Sequence, residues 1–422
     1  MNRHLAVMIA LVLACLFVGT AILVAQDARI PGENAVKVPL GAEARDGKLV
    51  FESKDTTFQW WFDSRIQVDG AGYFNNKNPM SNGTIMRKVT FAMKTVLWKN
   101  WQAEVDVDYG EAVLDLRDAF VQFNVPNENL SFKAGNFKEP FGLDELISSR
   151  LLTFMERSMV SNAIALGRRV GFSANYWQDY GQVTVGVFGH EVGTRIDKGT
   201  EDEGYSTNVR LTLAPINQHG KNLHVGGAFA YKTPDAATGA PLNSTEIKSR
   251  TESYVFDPKL LHTGAIADIN YYNRFSAELM GVWGPLYLQS EYIGTKVIRW
   301  YGKPTVSLGG SYALVSYMIT GETRDYFVDE GESGPLEAPK HTWGALEIAA
   351  RYSMCDLNDP NASIRGGKGN ILTFGLNYYP VQTIKFMLNY GIVKLDQYAT
   401  SNGKIAGDNN HMVVQIRVQA SL

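Results

Sequence analysis

Most of the chain alternates between apolar and polar residues in short segments. From Trp101 to Tyr109, every second residue is apolar or alanine, and the residues between them are Gln, Glu or Asp. A period of two is typical of a strand with one apolar and one polar face. From Phe58 onward this pattern recurs with turn residues between the segments, so it predicts an all-β protein.

Sixteen segments of this kind can be identified between residues 58 and 422. They are expected near 58–69, 84–98, 101–109, 114–124, 130–136, 168–178, 181–190, 203–213, 222–232, 272–283, 285–297, 305–320, 342–354, 368–380, 383–396 and 411–422.

The connections between these strands fall into two classes. Brief turns such as Lys99-Asn100 and Gly284-Pro285 contrast with long polar loops near 191–202, 233–262, 321–341 and 397–410. Short turns at one end and long loops at the other are typical of outer-membrane barrels. We therefore expect a sixteen-stranded antiparallel transmembrane β-barrel, whose closure removes the free strand edges that a bilayer does not tolerate.

The first 25 residues differ from the rest. Arg3 and His4 precede an apolar run from Leu5 to Val24, which predicts a secretory signal peptide over residues 1–25; a retained single-span anchor is the alternative. Residues 26–57 are expected to form an N-terminal leader segment, and residues 58–422 the barrel. Cys15 lies in the signal, so Cys355 has no partner for a disulfide in the mature chain.

One long insertion interrupts the strand pattern. Residues 138–167 mix Leu, Ile, Phe and Met with several charged residues, and no alternation is present. Loops of this length inside a compact β protein are usually functional. We expect this third loop to fold into the barrel and to narrow it.

Charge and motifs exclude several other functions. The formal net charge of −3 gives no sign of general nucleic-acid binding. The seven histidines show no metal-ligand spacing, and no catalytic motif is present, so neither an enzyme nor a cofactor is predicted.

Several motifs carry a family resemblance. They are Gly135, Phe137, Lys138, Pro140, Phe141, Gly142 and Leu143, then Ser148, Ser149, Glu156 and Arg157, and the segments 316–326, 344–357 and 374–380. With these motifs the chain resembles the phosphate-selective porin O/P family of bacterial outer-membrane channels. The resemblance implies a homotrimer of sixteen-stranded barrels, constricted by the third loop and lined by cations that pass anions.

The candidate site consists of charged residues in and near the third loop. The cationic candidates for the anion path are Arg87, Lys88, Lys138, Arg150, Arg157, Arg168 and Arg169. The acidic candidates at the constriction are Asp115, Glu145 and Glu156. The resemblance carries over Arg87, Lys88, Arg157 and Asp115. In the structural alternative, charge pairs only hold the loop in place: Lys138 with Glu139, and Arg157 with Glu156 or Glu145.

One departure from the family concerns specificity. Phosphate-specific members of the family have a lysine where this chain has Glu145. A change from cation to anion at a narrow constriction alters the local potential for a passing ion. The family resemblance therefore supports the fold of this chain more strongly than it supports phosphate specificity.

The predicted function is passive diffusion of small hydrophilic solutes and ions across an outer membrane, in contact with its lipid and with inorganic anions such as phosphate as possible substrates. The first alternative is a plugged barrel that serves as an anchor or adhesin. The second alternative is a secreted soluble β-protein.

Overall fold

A computed structural model of the protein describes residues 40–45, 48–193, 203–234 and 243–421, with side chains from residue 50 onward. The predicted signal peptide and most of the predicted loop 191–202 lie outside these residues. Among the described residues, no helix has both the length and the apolar character needed to cross a membrane.

The described chain is built almost entirely from strands. They are β1(Leu40–Arg45), β2(Lys48–Ser53), β3(Phe58–Phe74), β4(Gly83–Leu97), β5(Trp101–Asp108), β6(Asp115–Asn124), β7(Leu130–Lys138), β8(Arg168–Gln178), β9(Gly181–Phe188), β10(Ser206–Gln218), β11(Lys221–Lys232), β12(Thr245–Ser249), β13(Leu261–Ile266), β14(Ile269–Trp283), β15(Leu286–Arg299), β16(Val306–Met318), β17(Arg324–Phe327), β18(Glu332–Leu336), β19(Ala345–Asp359), β20(Ile364–Val381), β21(Ile384–Leu395) and β22(His411–Ser421).

Sixteen of these strands close into an antiparallel barrel, as predicted: β3–β11, β14–β16 and β19–β22. Closure is completed by pairing of the last strand with the first, from Met412 opposite Phe74 to Ser421 opposite Arg65. The β1–β2 hairpin, which falls in the segment 26–57, adds to the beginning of β3 where Val50 lies opposite Trp61. The barrel wall therefore has its backbone groups paired all the way round.

The two faces of the wall are inverted relative to a soluble protein. On β10, Leu211 and Leu213 are 52% and 53% exposed, whereas Arg210 and Thr212 between them are 1% and 0% exposed. Exposed aromatic residues, including Trp98, Trp101 and Trp283, lie at the end of the barrel that carries the short turns. An apolar outer belt bordered by aromatic residues is what a bilayer requires.

The third loop, residues 139–167, turns into the barrel as predicted. It contains two short helices, Leu143–Leu146 and Met159–Ile164. Gly142 makes the turn into the first helix with φ of 83°, a conformation that strongly favours glycine. A Cβ at this position would lie 3.3 Å from the carboxylate of Glu291 on β15, so glycine also permits the close approach to the wall.

The lumen is not polar throughout. The third loop packs against the β12–β13 hairpin and the wall strands opposite β3–β9, in a continuous apolar core. Its buried members include Phe141, Leu143, Met159, Ile164, Leu260, Leu261, Ile293 and Ile371. This half of the lumen is therefore packed rather than water-filled, because inward positions on the wall there, such as Ile293 and Ile371, are themselves apolar.

A second segment enters the lumen from the opposite end. The connection 319–344 joins β16 to β19 at the end with the short turns, and it forms the β17–β18 hairpin. The expectation that loop 321–341 belongs with the long outer loops is thus wrong. Its length is explained by contacts inside the barrel, where Arg210 of β10 donates hydrogen bonds to the carbonyls of Glu330 and Gly331. We call residues 319–344 the inward segment.

If the apolar outer belt faces lipid, the cost of placing a charge on it should depend on the depth of that position in the bilayer. Leu211→Arg places a cation on the lipid face at mid-strand and should destabilise the barrel by about 2–4 kcal/mol, whereas Thr207→Arg, on the same face near the strand end, should cost about 0–1 kcal/mol. Denaturant unfolding in lipid vesicles measures both. Equal costs for the two variants would contradict the assignment of this face to the bilayer.

Candidate functional site

A polar cavity of about 1150 Å³ runs along the wall formed by β3–β9. On β7 it is lined from Ser131, near the short turn, to Lys138, where the third loop begins. On β8 it is lined from Arg168 to Trp177. Because it follows these strands over most of their length, the cavity is the candidate path through the barrel.

Cationic and acidic side chains line this cavity in nearly equal numbers. Its ten cations are Arg65, Lys88, Lys94, Arg117, Lys133, Lys138, Arg150, Arg157, Arg168 and Arg210. Its nine acidic residues are Asp63, Glu104, Asp106, Asp118, Glu128, Asp325, Asp329, Glu330 and Glu332.

The structure brings five of the seven predicted cations to the cavity. These are Lys88, Lys138, Arg150, Arg157 and Arg168. Arg87 and Arg169 are not among the residues that line it. None of the three predicted acidic residues lines it either: Asp115 is an exposed residue at the start of β6 paired with Arg117, and Glu145 and Glu156 belong to the packed third loop.

Lys138 and Arg157 both hold the end of the first loop helix. The Lys138 ammonium donates to the carbonyls of Glu145, Leu146 and Ile147. The Arg157 guanidinium donates to the carbonyls of Asp144, Glu145 and Ile147 and pairs with the Glu145 carboxylate at 3.2 Å. Cations at the carboxyl end of a helix satisfy its unpaired carbonyls. Both side chains thus position the loop, even though they border the cavity.

The other predicted lining cations are paired with wall carboxylates. Arg150 contacts Asp63 at 3.0 Å and thereby ties the third loop to β3. Arg168 contacts Asp118 at 2.5 Å, and Lys88 contacts Asp108 at 3.3 Å. Their positive charge is therefore largely offset by a neighbouring carboxylate.

Arg169 anchors the start of the third loop. It pairs at 3.1 Å with Glu139, whose carboxylate also accepts hydrogen bonds from Ser206 and Asn208 of β10. Glu139 and Arg169 are both buried. This pair fixes the loop to the wall.

Arg87 belongs to a buried network at the seam of the barrel. Glu156 of the third loop accepts two hydrogen bonds from Arg87, at 2.8 and 3.0 Å, and one from Arg417 at 2.6 Å. Arg417 lies on β22, the last strand of the barrel. It also donates two hydrogen bonds of 2.7 Å to Asp69 on β3, the first strand of the barrel. We call these four residues the seam network.

The pKa of Glu156 reflects its partners. Burial alone would raise it, but the Arg87 and Arg417 guanidinium groups outweigh burial and lower it to about 2. Burial likewise opposes ionisation of Glu145, and Arg157 and Lys138 lower its pKa. Both carboxylates are ionised at neutral pH, and both serve to hold the loop.

The sequence analysis did not predict several of the residues that line the cavity. Arg65 and Lys94 occupy inward positions of their strands, so alternation was a usable signal for them. The carboxylates of the inward segment gave no such signal, because the run Asp329-Glu330-Gly331-Glu332 looks like any solvated loop.

Three wall carboxylates come within metal-binding distance of one another. One oxygen from each of Glu104, Asp106 and Asp118 lies within 4.8 Å of the others. Lys94 lies 3.4 Å from Glu104, and Arg168 binds Asp118, so cations of the protein already neutralise much of this cluster.

Comparison with known proteins agrees with this architecture. A family model, phosphate-selective porin O and P, matches residues 61–421. Porin O of Pseudomonas aeruginosa is 22% identical over 405 residues, covering 86% of this chain and 89% of that protein. An anion-selective porin from Comamonas acidovorans has a similar fold, with a TM-score of 0.54 and 11% identity over 86% of this chain and all 100% of that one. OmpT of Vibrio cholerae, solved in a trimer form, gives a TM-score of 0.52 with 10% identity over 87% of this chain and 100% of that one.

The fold and the cavity together define an outer-membrane channel of the porin class. Because the family model covers most of the chain, the chain belongs to the phosphate-selective porin O and P family. The soluble alternative is thereby set aside.

The seam network yields a prediction about stability. Glu156→Gln leaves the buried Arg417 and the largely buried Arg87 without their shared carboxylate and should cost about 3–5 kcal/mol. The exposed pair of Asp115 with Arg117 provides a control, since Asp115→Asn should cost less than about 1 kcal/mol. The measurement is the midpoint of guanidinium unfolding of the folded barrel. A Glu156 variant as stable as the Asp115 variant would rule out the proposed role of the network.

The same network predicts a pH dependence. Because the pKa of Glu156 is lowered from 4.5 to about 2, its contribution to stability is complete above pH 4.5 and is lost as the pH falls through about 2. The difference in unfolding midpoint between the wild type and Glu156→Gln should stay constant from neutral pH down to about 4.5 and shrink as the pH falls from there to about 2. A difference that disappears at neutral pH would contradict the lowered pKa.

Proposed function

We propose that this protein is a passive diffusion channel for small hydrophilic solutes and ions, with weak ion selectivity. The observation that carries the proposal is the polar cavity along β3–β9, which is lined from the turn end to the loop end of the same strands. A narrow wet path of this kind passes solutes by size and biases them by charge. We propose no catalytic role and no cofactor.

The weak selectivity rests on the balance of lining charges. Ten cations and nine acidic residues border the cavity among the described residues, and they are interleaved along the wall. Lys94 illustrates this, since it lies within 3.6 Å of Asp63 and 3.4 Å of Glu104. Interleaved charges of both signs leave little net field to select one sign of ion.

A phosphate-preferring channel is the second candidate. Lys138, Arg157 and Arg168 gather where the third loop meets the cavity, and the family name points the same way. Against this candidate, Lys138 and Arg157 are occupied by backbone carbonyls, and Glu145 stands where a lysine would favour phosphate. Anion binding at these residues would compete with the contacts that hold the loop.

The proposal also covers removal of the signal peptide and the oligomeric state. We propose that residues 1–25 are removed as a signal peptide, that residues 26–57 form an N-terminal leader, and that residues 58–422 form the barrel of a homotrimer. The trimer form of OmpT, which has a similar fold, supports the oligomeric state. A plugged barrel that acts as an anchor is the remaining alternative, since half the lumen is packed.

Planar-bilayer recording of the refolded mature chain tests this function. We expect steady conductance and a zero-current potential close to zero in a potassium chloride gradient, because the lining charges nearly cancel. We also expect that millimolar phosphate does not block the chloride current.

The other outcomes separate the candidates. An anion-selective current blocked by phosphate would establish the second candidate. Absence of any current from a barrel that still shows heat-modifiable migration would favour the plugged alternative.

A further inference from the structure

We propose that the inward segment, rather than the third loop, sets the ion selectivity of the channel, and that its carboxylates make small zwitterionic solutes better substrates than simple anions. The inference rests on the proposed channel function and specifies its substrate class. It concerns Asp329, Glu330 and Glu332, which we call the acidic tip. All three line the cavity.

The inward segment reaches across the lumen. It leaves the wall between β16 and β19, and its tip contacts β10 and β8, which lie four and six strands away from β16 along the wall. Asn175 of β8 donates to the carbonyl of Asp329 at 2.7 Å, and Arg210 of β10 donates to the carbonyls of Glu330 and Gly331 at 2.9 and 2.8 Å. Because the wall holds the tip through its backbone, the carboxyl side chains are left to face the cavity.

The position of the tip is firmly fixed. Arg210 is 1% exposed and forms an ion pair of 2.7 Å with the buried Glu278 of β14. The same guanidinium thus satisfies a wall carboxylate and two tip carbonyls. A charge presented by such a rigid element acts at a constant place in the path.

Charges of the third loop contribute little to selection. Arg150 and Arg157 are each paired with a carboxylate, at 3.0 Å and 3.2 Å, and Lys138 is surrounded by three carbonyls. The loop therefore narrows the path while its own charges are offset or engaged within the protein.

Unpaired lining groups are more numerous on the acidic side. Within the described chain, three lining cations have no carboxylate within 4.0 Å: Arg65, Lys133 and Lys138. Five lining carboxylates have no cation within that distance: Asp106, Glu128 and the three residues of the acidic tip. Burial and the neighbouring carboxylates of the same run raise the pKa of both Glu330 and Glu332, so the pair can retain one proton. Even with that proton, the unpaired carboxylates outnumber the unpaired cations.

The acidic tip lies near a lysine of the wall. Lys133 of β7 lies over the ring of Phe120 at 4.4 Å, has no carboxylate partner among the described residues, and interacts electrostatically with Glu330. A solute with one positive and one negative group can orient between the tip and this lysine. A simple anion meets the carboxylates without that compensation, so the field disfavours it.

The test compares glycine with glycolamide, its uncharged isomer of the same size, in liposomes containing the channel. Glu330→Gln/Glu332→Gln should lower the flux ratio of glycine to glycolamide by about twofold or more and shift the zero-current potential in potassium chloride toward anions, since wall charges change local ion concentrations strongly. Lys133→Gln should shift the potential toward cations, which supplies a second test if the double variant does not fold.

Glu337→Gln is the matched control on the same segment. The Glu337 carboxylate accepts a hydrogen bond from the Thr323 backbone N–H, contacts Lys340 at 3.4 Å and does not line the cavity, so this variant should behave like the wild type. A double variant with unchanged flux ratio and potential, in a wild type that conducts, would overturn this inference alone. A wild type that does not conduct would overturn the proposed channel function itself.

Discussion

The carboxylate of Glu156 joins the closure of the barrel to the position of its third loop. It binds Arg87 on β4 and Arg417 on the last strand, and Arg417 in turn binds Asp69 on the first strand. Two cations and two carboxylates that are buried or largely buried are tolerable together, whereas any one of them left alone would be costly. The network therefore links the position of the third loop to the closed seam of the barrel.

This arrangement divides the lumen into two halves with different tasks. On one side, the third loop and the β12–β13 hairpin bury an apolar core against β14–β16 and β19–β22. On the other side, the wall from β3 to β9 keeps its charged residues in a polar cavity. Apolar packing stabilises the loop, and the rigid loop and the inward segment then define the walls of the path. The apolar residues that pack the loop in place are thus distinct from the polar residues that line the path.

Alternation predicted the barrel well, because every wall strand has one lipid face and a bilayer requires that face to be predominantly apolar. Leu211 and Leu213 show the pattern clearly. The same rule says less about the inside, where Ile371 meets a packed loop and Lys133 meets the cavity at equivalent inward positions. Paired charges such as Arg157 with Glu145 could be anticipated as loop contacts. The inward segment could not, since its contacts with Arg210 and Asn175 depend on residues more than 100 positions away.

The division of the lumen can be tested most directly by thiol accessibility during single-channel recording. Gln122→Cys places a thiol in the polar cavity, and Ile371→Cys places one in the packed half, where the native Cys355 is also buried. A charged methanethiosulfonate reagent should reduce the current through the Gln122 variant and leave the wild type and the Ile371 variant unchanged. Reduction of the current at Ile371, or its absence at Gln122, would show that solutes follow a different path.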